Sequence, residues 1–182
     1  MAAALTLVLL LSSAACARRD SPAGPAPTAP GSAVVVRVVD GDTVRVRVDD
    51  SEQSVRMIGI DTPETHGRGG LRECFGREAS AHTSKLLPAG TTVRLVRDVE
   101  ARDRYGRLLA YVYRDDGTFV NLVLARDGFA APLTIPPNVA HRDQIAAAAA
   151  EAREQDRGLW SSCGGADTPE RRIAAAPLRL PP

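Results

Sequence analysis

"VVDGDTVRV", residues 38 to 46, alternates apolar with polar or charged residues on both sides of a short turn. Asp-Gly is a preferred pair in tight hairpin turns, so this stretch predicts two antiparallel strands that are joined directly. The turn also carries two aspartates, Asp40 and Asp42. Taken alone, the stretch leaves two interpretations open, because these carboxylates either shape the hairpin or hold a metal ion.

The pattern on either side of the hairpin predicts a small barrel. Segments rich in apolar residues, mostly Val and Ile, predict strands, and segments with helical spacing or many Ala residues predict helices. In chain order these are three strands, a helix with one apolar face, two more strands and two more helices. The predicted strands are 33–39, 42–48, 53–60, 91–99 and 107–114. This order differs from the βαβ alternation of a parallel sheet. A five-stranded antiparallel barrel of the OB-fold type, with helices packed at its side, fits better.

The composition predicts one domain between two segments that cannot form a core. The chain has 182 residues with 44% hydrophobic content, enough for one good core. Its first 16 residues are uncharged and hold an apolar run too short to span a bilayer, which is typical of an export signal. Their last five, "SSAAC", resemble a lipobox, so Cys16 is either lipidated or lies at an ordinary cleavage site. The predicted divisions are a signal peptide at 1–16, a Pro/Ala-rich linker at 17–32, the domain at 33–163 and a disordered tail at 164–182.

Export would leave an even pair of cysteines, Cys74 and Cys163. In an oxidising compartment such a pair suggests a disulfide, with two independent thiols as the alternative. The formal net charge of +1 gives no indication of nucleic acid. Any affinity for a polyanion would therefore come from a local group of arginines or from a bound cation.

Three short motifs concentrate acids and arginines near strand ends. They are "DGDT" (40–43), "VRMIGIDTPE" (55–64) and "DRYGR" (103–107). Their order and spacing strongly resemble the staphylococcal nuclease, or thermonuclease, family, and the resemblance runs from about residue 33 to residue 160. It implies an OB-type barrel with three helices. It also implies an exported, Ca²⁺-dependent nuclease that hydrolyses DNA and RNA phosphodiesters with little sugar specificity and leaves 3′-phosphate ends.

The resemblance assigns the metal site and the base. It makes the side chains of Asp42 and Asp61 ligands of Ca²⁺, with the carbonyl oxygen of Thr62 as a third. Hard oxygen donors of this kind suit Ca²⁺, and a divalent ion polarises a phosphoryl oxygen and lowers the pKa of nearby water. Glu64 matches the residue usually assigned as general base. With an ordinary pKa near 4.3, we expect Glu64 to be ionised at neutral pH.

The same resemblance makes Arg56 and Arg107 phosphate clamps, because guanidinium groups donate paired hydrogen bonds to phosphate oxygens and remain charged. Arg104 and Tyr105 match positions that contact the nucleotide. The implied partners are DNA and RNA, preferably single-stranded or flexible. No protein partner is implied, and we expect a monomer.

Two features complicate this assignment. In a regular strand Arg56 and Asp61 point to opposite faces, so their convergence requires a break in the strand, for which Gly59 is the expected place. In addition, "FAAPLTIPPNVA" (129–140) has no Tyr where the family presents two tyrosines to the nucleotide, and Thr134 stands near the first of these positions. The alternative function is a noncatalytic OB-type module that binds nucleic acid at the cell envelope.

Overall fold

The computed structural model describes residues 31–66 and 73–165. The predicted export signal with Cys16, the linker up to residue 30 and the tail from residue 166 lie outside the described residues. Within the described ranges, no helix has the length and apolar character needed to cross a bilayer.

A closed five-stranded barrel forms the centre of the domain. Around the barrel the order is β1-β2-β3-β6-β5, and β4 pairs with β7 in a separate two-stranded sheet. The strands are β1 (Ser32–Asp40), β2 (Thr43–Val48), β3 (Ser51–Met57), β4 (Ile60–Asp61), β5 (Thr92–Val96), β6 (Leu108–Arg114) and β7 (Ala131–Pro132). The described helices are α1 (Gly76–Leu86), α2 (Val120–Arg126), α3 (Arg142–Glu154) and α4 (Leu159–Cys163). The predicted five-stranded OB-type barrel with helices at its side is confirmed.

Two details differ from the prediction. The barrel is mixed, because β3 and β6 run parallel while its other pairs are antiparallel. An odd number of strands cannot alternate in direction around a closed ring, so a five-stranded barrel must contain a parallel pair. The described residues also contain a fourth helix beyond the three expected, the five-residue α4, which begins directly after Gly158. Gly158 has a positive φ of 56°, and that sharp turn separates α4 from the end of α3.

Alternating valines fill the barrel, and the helices close it. Val44, Val46 and Val55 have no solvent exposure, and Met57 is 1% exposed. The amide of the buried Asn121, on α2, donates to the carbonyl of Ile58 over 2.8 Å and thereby fixes the chain where it leaves β3. Helix packing therefore supports the segment that returns towards Asp61.

Contacts outside the barrel tie α1 to the end of the domain. His82 of α1 stacks on Phe129, with ring centroids 3.9 Å apart. Cys74, two residues before α1, forms a disulfide with Cys163, the last residue of α4, and their Cα atoms are 5.9 Å apart. The segment that leads into α1 is thus joined covalently to α4.

Candidate active site

The turn between β1 and β2 places a buried carboxylate against the chain that follows β4. Asp42 is 3% exposed. Its Oδ2 accepts hydrogen bonds from the backbone N–H of Thr62 over 3.0 Å and from the Thr62 hydroxyl over 3.2 Å. Gly41 lies so close that an added Cβ would be 2.6 Å from Oγ1 of Thr62. The glycine of the "DGD" turn is therefore required for this approach.

The strand that carries Arg56 breaks at Gly59, as predicted. β3 ends at Met57, Gly59 has a φ of +84°, and β4 begins at Ile60. Nη1 of Arg56 donates to the carbonyls of Met57 and Ile60, each over 2.8 Å. The guanidinium thus holds the chain on both sides of the break.

Arg56 also brings the two aspartates together. Its Nη2 lies 3.1 Å from Oδ2 of Asp42 and 2.7 Å from Oδ1 of Asp61. The Arg56 side chain is only 14% exposed, so both ion pairs form partly out of water, where they are stronger. Carboxylates on two separate segments therefore converge on one cationic group.

The donor chemistry of this place fits a calcium ion. Ca²⁺ takes about six to eight oxygen ligands from carboxylates, carbonyls and water in an irregular geometry. Asp42 and Asp61 offer two carboxylates, and Thr62 follows directly in the chain. Across residues 31–66 and 73–165, no three His, Cys, Asp or Glu side chains are grouped in a way that could hold a metal. A calcium ion here would therefore need further oxygens from the backbone, from water or from the substrate phosphate.

Backbone contacts fix the position of Glu64 beside the acids. Its N–H donates to Oε2 of Glu73 over 2.8 Å, and the N–H of Glu73 donates to the Glu64 carbonyl over 3.1 Å. A Cβ added to Gly76 would lie 2.6 Å from that carbonyl. The start of α1 thus packs directly against the Glu64 backbone.

The Glu64 side chain does not have the ordinary pKa that we expected. Partial burial of its carboxyl, a hydrogen bond with Asp40 and the negative charges of Asp40, Asp42 and Glu73 raise the pKa of Glu64 to about 8. The residue as a whole is exposed, so the carboxyl has an acidic neighbourhood on one side and water on the other. A cation bound beside Asp42 would lower this pKa, because positive charge favours the ionised carboxyl.

Asp40 has a structural and an electrostatic role. Its Oδ1 accepts the N–H of Gly41 over 2.9 Å, and its Oδ2 accepts the N–H and the hydroxyl of Thr65, each over 3.3 Å. It therefore shapes the turn, joins it to the loop after Glu64, and shares a hydrogen bond with the Glu64 carboxyl.

A groove of about 520 Å³ leads away from Arg56. Arg104, Tyr105 and Arg107 also line it. Tyr105 is 68% exposed, and the Arg104 guanidinium lies 4.8 Å from the centre of its ring. The predicted nucleotide contacts and both predicted phosphate clamps thus share one surface.

Within this groove, Arg107 is held by an aspartate rather than by the acidic cluster. Its Nε donates to Oδ2 of Asp103 over 2.6 Å, and its backbone N–H donates to Oδ1 over 2.9 Å. Burial of Asp103 favours the neutral acid, but the hydrogen bonds from Arg107 and Tyr105 outweigh it and lower the pKa of Asp103. The motif "DRYGR" did not predict this role of Asp103, although an acid four residues before an arginine across a Gly turn is a signal for such a pair.

The far wall of the groove is aliphatic. Leu133 and Ile135, on either side of Thr134, line it, and Ile135 is 61% exposed. The segment without tyrosines therefore presents branched side chains to the groove.

Comparison with known proteins shows which family this chain resembles. The family profile described as "Staphylococcal nuclease homologue" matches residues 54–162. The thermonuclease of Staphylococcus hyicus is 40% identical over 128 residues, which cover 70% of this chain and 75% of that protein. The thermonuclease of Staphylococcus intermedius is 41% identical over 129 residues, covering 71% and 76%. Endonuclease YncB of Bacillus subtilis (strain 168) is 34% identical over 129 residues, covering 70% and 61%.

Proposed function

The chain belongs to the staphylococcal nuclease family and is a hydrolytic nuclease, and from this premise we propose that it is an exported, calcium-dependent enzyme. Its substrates are DNA and RNA, whose phosphodiester bonds it cleaves with little sugar specificity, leaving 3′-phosphate ends. The observation that carries the proposal is the convergence of Asp42 and Asp61 on Arg56, at the edge of the groove that holds Arg107.

The calcium ion would be held by the carboxylates of Asp42 and Asp61 and the carbonyl oxygen of Thr62. When bound, it would polarise a phosphoryl oxygen and lower the pKa of nearby water. Support for Asp42 comes from its fixed orientation, because hydrogen bonds from Thr62 and from the Thr43 hydroxyl hold its carboxylate.

The proposed roles of the remaining residues follow from their chemistry. Glu64, in its ionised form, accepts a proton from the attacking water. Arg56 and Arg107 donate hydrogen bonds to the phosphate oxygens as negative charge develops on them. Arg104 and the exposed ring of Tyr105 contact the nucleotide beside the scissile phosphate.

The proposal of export rests on the sequence of residues 1–16 and on the disulfide between Cys74 and Cys163. Disulfides persist in oxidising compartments and are rare in the cytosol of mesophiles. We propose release as a monomer, or retention at the cell envelope through a lipid on Cys16.

A chelator-controlled assay tests the activity. We expect the purified protein to degrade single-stranded DNA and RNA with Ca²⁺ and to lose this activity in a calcium chelator, with recovery when Ca²⁺ is restored. Cleavage that is equally fast in the chelator would contradict calcium dependence. The mass of the products shows which side of the phosphate is cut. Removal of the terminal phosphate by a 3′-phosphatase would confirm 3′-phosphate ends.

Substitutions separate catalysis from binding. Glu64→Ala and Arg107→Ala are expected to lower kcat by on the order of a thousandfold while the protein remains folded. Arg114→Ala is the matched control. Arg114, the last residue of β6, forms an ion pair of 2.9 Å with Asp116 and does not line the groove. Calcium-independent binding of oligonucleotide without cleavage would instead favour the noncatalytic module.

A further inference from the structure

The outer face of the barrel carries two neighbouring rows of polar side chains. Cross-strand partners share a face, as do residues two apart on one strand. The first row crosses Asp40, Thr43 and Arg56, and the next row crosses Arg37, Arg45 and Ser54. Val44, Val46 and Val55 fill the opposite, inner face. The second row thus lies next to the row that contains the Arg56 clamp.

An irregularity in β1 brings Arg37 to this face. Val35 pairs with the inward-facing Val46, and in a regular strand Arg37 would point inward like Val35. The register shifts between these two positions, so Arg37 lies opposite Arg45. Bulges commonly redirect a side chain in this way. A second shift, between Val38 and Asp40, does the same for Asp40.

Arg37 and Arg45 form a like-charge pair directly across the two strands. Like charges in this position destabilise a sheet. Within the described residues, neither guanidinium has a recorded ion pair or hydrogen bond, whereas Arg47, one position further along the same face, lies 3.9 Å from Glu52. An anion bound between Arg37 and Arg45 would remove the repulsion.

We propose that Arg37 and Arg45 together bind a phosphate of the nucleic-acid strand, one step beyond the phosphate held at Arg56. The inference rests on the proposed function of the Arg56 site. Arg45 lies on the strand next to that of Arg56 and two residues further along, so the two positions are offset by about 7 Å along the strands and about 5 Å across them. Long arginine side chains can adjust this offset to the separation of successive phosphates in an extended single strand. The bound strand then runs from the Tyr105 groove, past Arg56, to the Arg37 and Arg45 pair. Oligonucleotides long enough to reach this pair are therefore better substrates than dinucleotides.

The test compares substrate lengths. A single-stranded 20-mer reaches the second row, whereas a dinucleotide with one phosphodiester cannot. In the double variant Arg37→Gln/Arg45→Gln, we expect the ratio of kcat/KM for the 20-mer to kcat/KM for the dinucleotide to fall on the order of tenfold. Anisotropy of a labelled 20-mer in chelator gives a second measurement. The slope of log Kd against log salt concentration should become shallower by about 0.7, the value for one phosphate contact on a single strand.

Two variants control the experiment. Arg37→Lys/Arg45→Lys should keep most of the length dependence, because it retains both charges. Arg114→Gln removes one charge on β6, a strand that pairs with neither β1 nor β2, and should leave the ratio unchanged. The melting temperature of the Gln double variant should be no lower than that of the wild type, because the change removes a repulsion.

Other outcomes would overturn the proposal. Equal losses on both substrates would mean that the arginines act through the structure of the catalytic row. An unchanged ratio and salt slope would mean that no phosphate is bound there. If the wild type cleaved neither substrate, the proposed function would fail, while the anisotropy comparison would still decide whether Arg37 and Arg45 hold a strand.

Discussion

At the scale of single residues, the site depends on how each charged group is held. Arg56 makes four contacts of 3.1 Å or less, two to carbonyls and two to carboxylates, so its position is determined by β3 and by the chain beyond it. Arg107 has a different support, because Asp103 fixes both its Nε and its backbone N–H. The two proposed phosphate clamps therefore respond to different substitutions.

Replacing Asp103 tests the support of Arg107. Asp103→Asn removes the negative charge and one of the two acceptor oxygens, so the guanidinium is expected to lose its fixed direction. We predict that kcat/KM falls about 10- to 100-fold, as it does when the hydrogen-bond partner of a metal ligand is removed. In Arg107→Ala we expect kcat/KM to fall further. Steady-state kinetics on single-stranded DNA measures both.

Asp116→Asn is the control for this change, because Asp116 pairs with Arg114 outside the groove. A loss in Asp103→Asn no larger than in the control would show that Arg107 does not need this support.

At the scale of elements, the β1–β2 turn and the segment after β4 are mutually dependent. Thr83 of α1 donates its hydroxyl hydrogen to the carbonyl of Gly41 over 2.6 Å, while Gly41 presses against the Thr62 side chain. The hairpin, the helix and the returning chain therefore form one packed unit around Asp42. A Cβ added to Gly41 must displace the Thr62 side chain and, with it, the groups that donate hydrogen bonds to Asp42.

Gly41→Ala tests this unit. The new Cβ would meet three side-chain atoms of Thr62 at 2.6 to 2.9 Å. We predict a loss of about 1–3 kcal/mol in the free energy of unfolding, as for other overpacked positions, together with a large loss of nuclease activity. Urea unfolding and the calcium-dependent assay measure the two effects.

Gly90→Ala is the comparison for the turn. Gly90 has a φ of +88° with no atom within 4 Å of an added Cβ, so its substitution adds backbone strain without a clash. It should lower stability but leave kcat/KM near the wild-type value. Similar activity losses in the two variants would argue against a specific role of the Gly41 contact.

At the scale of the whole molecule, one covalent bond joins the beginning of α1 to the end of the domain. The disulfide between Cys74 and Cys163 spans 89 residues, a loop that includes β5, β6 and all four helices. Cys74 follows Glu73, whose carboxylate and N–H hold the Glu64 backbone. The bridge therefore supports both the global fold and the position of the proposed base.

Removing the bridge tests its contribution to the stability of the fold. For Cys74→Ser/Cys163→Ser we expect the free energy of unfolding to fall by on the order of 4 kcal/mol, because the unfolded chain gains the entropy of an open loop. Denaturant unfolding measures this loss, and wild-type protein in reductant should behave in the same way. A loss below about 1 kcal/mol would mean that residual strain or structure offsets the loop term.

Much of the fold and the candidate site could be predicted from the sequence, because the decisive signals are local. Short segments that alternate apolar with polar residues or run apolar located the five barrel strands within a few residues, and three motifs located the acids and arginines. The break at Gly59 could be predicted as well, since strand parity alone requires it for Arg56 to meet Asp61. The roles assigned to the site residues stay predictions; these residues are Asp42, Arg56, Asp61, Thr62, Glu64, Arg104, Tyr105 and Arg107.

By itself, the sequence determined the succession of strands and helices and the residue types gathered at the strand ends, because hydrophobic period and turn chemistry act over a few neighbouring residues. Only the tertiary structure decided which distant groups meet. Closure of an odd-stranded ring made β3 and β6 parallel, and a bulge in β1 turned Arg37 outward. Folding the loop after β4 onto the hairpin placed Glu64 beside Asp40, where partial burial and the neighbouring acids raise the pKa of the Glu64 carboxyl. Such contacts depend on burial and on charges brought together by the barrel, which no local pattern in the chain specifies.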